Sequence, residues 1–220
     1  YIDEFRDQGI GRRLVERICR EVDGTREVVL MEVCGTHTMS IFRYGIRGLL
    51  PRSIRLLSGP GCPVCVTPSA YIDKAIAYAR LPGVLVATFG DMLRVPGSRS
   101  SLEREAAEHN KVRVVYSTMD ALEMAARHPE LKVVFVGVGF ETTAPTIAAS
   151  IVEARRRGIG NYFVLCAHKL IPPVMRALVD SQDLAIDGFI CPGHVSTIIG
   201  ADAYRFIARD YGIPCVVAGF

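Results

Sequence analysis

The sequence predicts an α/β protein with mainly parallel sheets flanked by helices, and three observations carry that prediction. Stretches of strand character alternate with stretches of helical period along the whole chain. Several strands (VVLMEV, VLVAT, VVFVGV, YFVLCA) are nearly continuous apolar runs, as a sheet covered on both faces requires. Strands joined through helices imply βαβ units with right-handed crossovers. In order, a helix is expected over 12–22, with Leu14, Val15, Ile18, Cys19 and Val22 on one face and Gly24 as its stop. A strand over 27–33 follows, then a helix over 38–50 and a short strand over 54–57. Thr67-Pro68 is a strong helix start, and that helix runs to Arg80, before Pro82-Gly83. Strands over 84–88 and 112–116 enclose a helix over 102–109, and a helix over 119–127 ends at Pro129. The strands at 133–138, 162–166, 188–191 and 215–217 are separated by helices at 143–157, 174–179 and 203–210. The expected division is two Rossmann-like lobes, residues 1–127 and 128–220, with a cleft between them.

Composition narrows the function classes. The 220 residues are half apolar and 22% charged, which excludes a disordered chain. Lys+Arg number 26 against 23 acids, a scattered excess of three that argues against nucleic acid as the partner. No apolar stretch reaches about 18 residues, so no membrane span is expected. The charged start, Tyr1 to Arg13, lacks the apolar run of a signal peptide. Seven cysteines, an odd number in a chain able to build its own core, fit a secreted disulfide framework poorly; a cytoplasmic protein is expected. Tyr rather than Met at position 1, and a strand at Pro214–Phe220 with nothing after it, suggest a trimmed fragment.

Four motifs follow strands and precede helices, where ligands bind in such folds. In Cys34-Gly-Thr-His37-Thr38, a cysteine at a helix entrance meets free N–H groups and the positive dipole end, which favour thiolate chemistry. His37 is placed to join it as a metal ligand. The plainer reading is a buried cysteine with a capping Thr. In Gly59-Pro-Gly-Cys62-Pro-Val-Cys65, a C-x-x-C before a helix suits dithiol–disulfide chemistry. Half of a structural zinc site is the alternative, although no second pair stands at zinc-ligand spacing. Gly137-Val-Gly-Phe-Glu141-Thr142-Thr143-Ala-Pro145 looks superficially like a phosphate loop, without its lysine or third glycine. Thr142 and Thr143 are candidates to hold an anion at a helix start, and Glu141 is an acid in an apolar turn. In Cys191-Pro-Gly-His194-Val-Ser-Thr, the histidine suits a ligand or proton-transfer role. A fifth loop, Asp91 to Ser98, carries an expected Asp–Arg ion pair. Cys19, Cys166 and Cys215 read as core, and His109 and His128 as surface residues at helix ends.

Taken together and in this order, the CGTHT, GPGCPVC, FGDMLRVPGS, FETTAP and PGHVS stretches resemble the HypD family of hydrogenase maturation factors. The resemblance covers essentially the whole chain. It implies a scaffold, rather than a turnover enzyme, that assembles the Fe(CN)2CO centre of nickel–iron hydrogenases. HypC would share the iron, and HypE would deliver cyanide as a C-terminal thiocyanate. By resemblance, Cys34 is the iron-binding, HypC-facing thiol, and Cys62 and Cys65 are a redox-active pair. Glu141 and His194 would shape the pocket or move protons. The family's 4Fe-4S cluster lies in a C-terminal region whose clustered cysteines this sequence lacks. The competing readings are a thiol–disulfide oxidoreductase using Cys62 and Cys65, a zinc enzyme using Cys34, Cys191 and His194, and a purely structural module.

Overall fold

The computed structural model describes residues 7–22, 24–181 and 185–219. Residues 1–6 of the charged start, and Phe220 at the expected strand end, lie outside the described residues. The strands are β1 (Val28–Glu32), β2 (Ile54–Ser58), β3 (Val84–Thr88), β4 (Val112–Val114), β5 (Lys132–Gly137), β6 (Tyr162–Cys166), β7 (Gly188–Pro192) and β8 (Cys215–Ala218). The helices are α1 (Gln8–Glu21), α2 (Gly35–Arg43), α3 (Ile46–Leu49), α4 (Ser69–Arg80), α5 (Leu102–His109), α6 (Thr118–Arg127), α7 (Ala144–Arg156), α8 (Ile171–Asp180), α9 (Gly193–Ile199) and α10 (Arg205–Tyr211). Two four-stranded sheets form, in the orders β2-β1-β7-β8 and β4-β3-β5-β6, and every pairing is parallel.

The chain divides into two compact units: Tyr1–Gly61 with Ile171–Phe220, and Cys62–Leu170. This corrects the expected boundary at 127/128. The first sheet is interrupted after β2 and completed by β7 and β8, while the second unit is one continuous stretch. The reason is physical. A both-faces-apolar strand such as VVFVGV fits the middle of any parallel sheet, so its composition does not reveal which sheet it joins.

The second unit shows why its strands are apolar throughout. Val84, Val86, Val134 and Val136 point to one face, where they pack with Ile72, Ala75, Ile76 and Ala79 of α4. These helix positions recur at the three- and four-residue spacing of a single face. The alternate residues Val133 and Phe135, with Ala87, pack on the other face against Ala121, Leu122 and Ala125 of α6 and Ile147 and Ala154 of α7. Phe89 meets Phe135 edge-to-face at 5.2 Å between ring centres. A capping box of Ser117 and Asp120 starts α6. Glu105 is fully buried in α5, and its carboxylate accepts two hydrogen bonds from Arg80, at 3.0 and 2.6 Å, and one from Ser100 at 2.8 Å.

Several expected elements shift. The helix read over 38–50 breaks at Gly45, whose φ of +62° ends α2 before α3 begins. The helix expected from 174 begins at Ile171, because Pro172 and Pro173 occupy its first turn, where a missing N–H costs nothing. A short helix, α9, occupies the segment read as the PGHVS turn. In the Asp91–Ser98 loop, Arg94 pairs with Glu103 at 3.3 Å rather than with Asp91. Cys19 and Cys166, expected in the core, are exposed; α1 buries no residue fully, and Cys166 ends the edge strand β6. Cys215 is partly exposed, while His109 and His128 lie at the surface as expected. No helix among the described residues is long and apolar enough to cross a membrane.

Candidate functional site

The candidate residues fall in both units, at the carboxyl ends of strands. Cys34, His37 and His194 belong to the first unit; Cys62, Cys65, Glu141, Thr142 and Thr143 belong to the second.

In the first unit, β1 ends at Glu32 and Cys34 caps α2. The Cys34 carbonyl accepts the N–H groups of His37 (3.0 Å) and Thr38 (3.3 Å), while its thiol makes no capping bond. His37 sits one turn inside α2 and is buried. Its Nε2 lies 2.5 Å from the Ala218 carbonyl at the end of β8. A carbonyl only accepts, so Nε2 carries a proton, and in the neutral ring Nδ1 then carries the lone pair. That Nδ1 is buried and has no hydrogen-bond partner. An imidazole fixed at one nitrogen by a backbone carbonyl, with a lone pair at the other, has the tautomer of a metal-ligating histidine. Gly219 permits this contact: its φ is +77°, and a Cβ there would stand 2.7 Å from Nε2. Gly61 packs as closely on the other side, where a Cβ would lie 2.6 Å from the Gly35 nitrogen. The glycine motif before Cys62 is thus seated on the turn that holds Cys34.

Two residues of this unit escaped the sequence reading. Glu32 is fully buried, with Oε1 accepting from Arg47 and Ser58, each at 3.2 Å, and with Oε2 buried and unpartnered. The available signal was a single acid ending the apolar run VVLMEV. Ala218, which fixes His37, acts through its backbone and leaves no trace in residue type. His194 lies in the first turn of α9, exposed, after β7, the strand hydrogen-bonded to β1. Cys191, in β7, is fully buried, and its thiol is pushed up by its hydrogen bond with Cys215 and then by burial, while that of Cys215 is pulled down by the same bond. The described residues contain no group of three or more His, Cys, Asp or Glu able to hold a metal.

In the second unit, the Sγ atoms of Cys62 and Cys65 lie 2.7 Å apart, both as free thiols. The Cys65 N–H also donates to Cys62 Sγ, at 3.2 Å. The Cys65 thiol is pushed up because its S–H donates to Cys62. The pair occupies a turn of its own rather than a helix N-terminus. Thr67, expected to cap α4, donates its hydroxyl to the Pro63 carbonyl at 2.8 Å, and α4 starts at Ser69 behind Pro68. Three loops converge at this end of the sheet. Ala167 and Lys169 donate their N–H groups to the carbonyls of Gly137 (2.8 Å) and Gly139 (3.0 Å). Lys169 Nζ donates to Thr67 Oγ1 at 3.1 Å. Glu141 is buried in the middle loop and Thr142 is exposed. The N–H and hydroxyl of Thr143 both donate to the Phe140 carbonyl, at 3.1 and 3.2 Å. The anion role expected for Thr143 therefore loses these donors to the turn itself. A cavity of about 720 Å³ lies at the opposite strand ends, around Pro82, Val84, Lys132 and Phe163.

Comparison with known proteins adds independent information. The HypD family model, described as the hydrogenase formation hypA family, matches residues 10–220. The hydrogenase maturation factor HypD of Azotobacter vinelandii is 51% identical over all of the chain and 60% of its own length. The proteins of the same name from Rhodobacter capsulatus and Escherichia coli (strain K12) are 48% and 44% identical, again over the whole chain and 60% of their length. The chain thus spans about 60% of the curated relatives it matches.

Proposed function

We propose, from the premise that the chain belongs to the HypD family of hydrogenase maturation factors, that it forms the iron-holding part of a scaffold on which the Fe(CN)2CO unit is built. Iron is the cargo. Cys34 Sγ and His37 Nδ1 are its ligands from this chain, and the observation that carries this reading is the His37 ring, protonated toward Ala218 with its lone pair turned inward. Iron takes more ligands than two, and HypC supplies a further one at the partly exposed Cys34. Met39 and Phe42 of α2, with Leu49 of α3, are large apolar side chains left in solvent beside that turn, Phe42 at 81%. They fit a protein partner better than water does. His194 and Glu32 handle protons beside the cargo.

Cyanide arrives from HypE as a thiocyanate, R–S–CN. Releasing it as cyanide and R–SH takes two electrons and one proton. Oxidising the Cys62–Cys65 dithiol to a disulfide yields two electrons and two protons, so the two half-reactions balance with one proton released. The family's iron–sulfur cluster, in the part of the protein beyond this chain, would return those electrons. The free-standing oxidoreductase alternative is not favoured by the family match.

The test is cyanide transfer to iron by full-length protein with HypC and HypE, read by the infrared bands of bound cyanide. Cys62→Ser and Cys65→Ser are each expected to abolish loading in a single turnover while iron stays bound. Loading at the normal rate in either variant would overturn the electron-supply role.

A further inference from the structure

Cys166 is the last residue of β6, at the edge of the second sheet, and its side chain is exposed. Its Sγ lies 3.2 Å from Nδ1 of His168. The segment carrying both is pinned at each end, by the Ala167 and Lys169 amides on the Gly137 and Gly139 carbonyls (2.8 and 3.0 Å). Lys169 Nζ holds it further, on Thr67 Oγ1 (3.1 Å) and the Ala167 carbonyl (2.8 Å). The imidazole sits over Gly137, where a Cβ would come to 3.4 Å from Cε1, and its Nε2 is buried with no hydrogen-bond partner. Burial first, and the Lys169 ammonium second, hold His168 below the ordinary histidine value. The ring is therefore neutral near pH 7, and its Nδ1 faces the Cys166 thiol as the acceptor. A structural cysteine would be buried and inert; this one is exposed, beside a fixed base.

We propose that Cys166 and His168 form a thiol–imidazole pair that performs thiol–disulfide exchange with small disulfides. The Cys166 S–H bond breaks and its proton passes to His168 Nδ1. The sulfur then attacks one sulfur of R–S–S–R′, a Cys166–S–S–R bond forms, and R′–S⁻ leaves and takes the proton back from His168. One disulfide is consumed and one is made, so no outside oxidant or reductant is needed. This site goes beyond the iron-scaffold reading and stands without it. Its position at the end of the sheet that carries the Cys62–Cys65 turn, through the chain Lys169–Thr67–Pro63, gives it a place among the thiols of that unit.

The test exposes reduced full-length protein to oxidised glutathione under anaerobic conditions, quenches with iodoacetamide at timed intervals, and maps adducts by peptide mass. Cys19, an exposed thiol on α1, is the internal reference. Cys166 is expected to acquire glutathione about tenfold faster than Cys19 or more, and His168→Gln to bring it down to the Cys19 rate without altering Cys19. Equal rates at Cys166 and Cys19 in the unaltered protein, or an unchanged Cys166 rate in His168→Gln, would overturn the proposal. If that variant fails to fold, the ratio in the unaltered protein decides alone.

Discussion

Residue by residue, the side chains proposed to carry chemistry are the easiest to single out in the sequence, and the groups that position them the hardest. Cys34, His37, Cys62 and Cys65 stand out because sulfur and imidazole in glycine turns have few other uses. What fixes them is backbone: the Ala218 carbonyl on His37, and the glycines that let chains approach. Nitrogen-15 NMR of histidine-labelled protein is expected to show His37 as the Nε2–H tautomer. Gly219→Ala, which places a Cβ 2.7 Å from that nitrogen at φ +77°, is expected to lower stability by about 1–3 kcal/mol and to shift the His37 resonances. Glu105 gives a pH prediction. Its carboxyl is held below the usual range by the hydrogen bonds from Arg80, against the cost of burial. A depressed carboxylate stabilises the fold above its unfolded value of about 4.3, and that contribution is lost as pH falls through the lower folded value. Glu105→Gln is expected to cost about 2 kcal/mol at pH 7, limited because Arg80 is half in solvent. Its effect should shrink below pH 4 in thermal melts.

At the scale of elements, period and punctuation located every strand within a residue or two, because an apolar run bounded by Gly or Pro has few alternatives. Helix ends were less legible. Thr67-Pro68 reads as a cap, yet the Thr67 hydroxyl closes the cysteine turn on Pro63 instead. The short α9 was invisible because two of its residues, Gly193 and Thr197, are weak helix formers, and the packing of Val195 favours it. Core elements carry the stability. Leu122, fully buried between α6 and its sheet, is expected to cost about 2–5 kcal/mol on Leu122→Ala, measured by denaturant unfolding. Val152→Ala on the exposed side of α7 should change little.

For the whole molecule, the α/β class with parallel sheets was legible, while the division into units was not. Strand order depends on long-range pairing that local sequence does not encode, so β7 beside β1, and β8 beside β7, had no signature. The topology makes its own prediction: residues 62–170, as one continuous unit, should fold and melt cooperatively alone, whereas 1–61 without 171–220 should not. Function at this scale rests on the claim that Cys34, with His37, holds the iron cargo. The most direct measurement is anaerobic loading of full-length protein with Fe(II) and HypC, followed by gel filtration and metal analysis of unaltered, Cys34→Ala and Cys166→Ala proteins. The account predicts retained iron in the unaltered and Cys166→Ala proteins and its loss in Cys34→Ala. Equal iron in all three would contradict it.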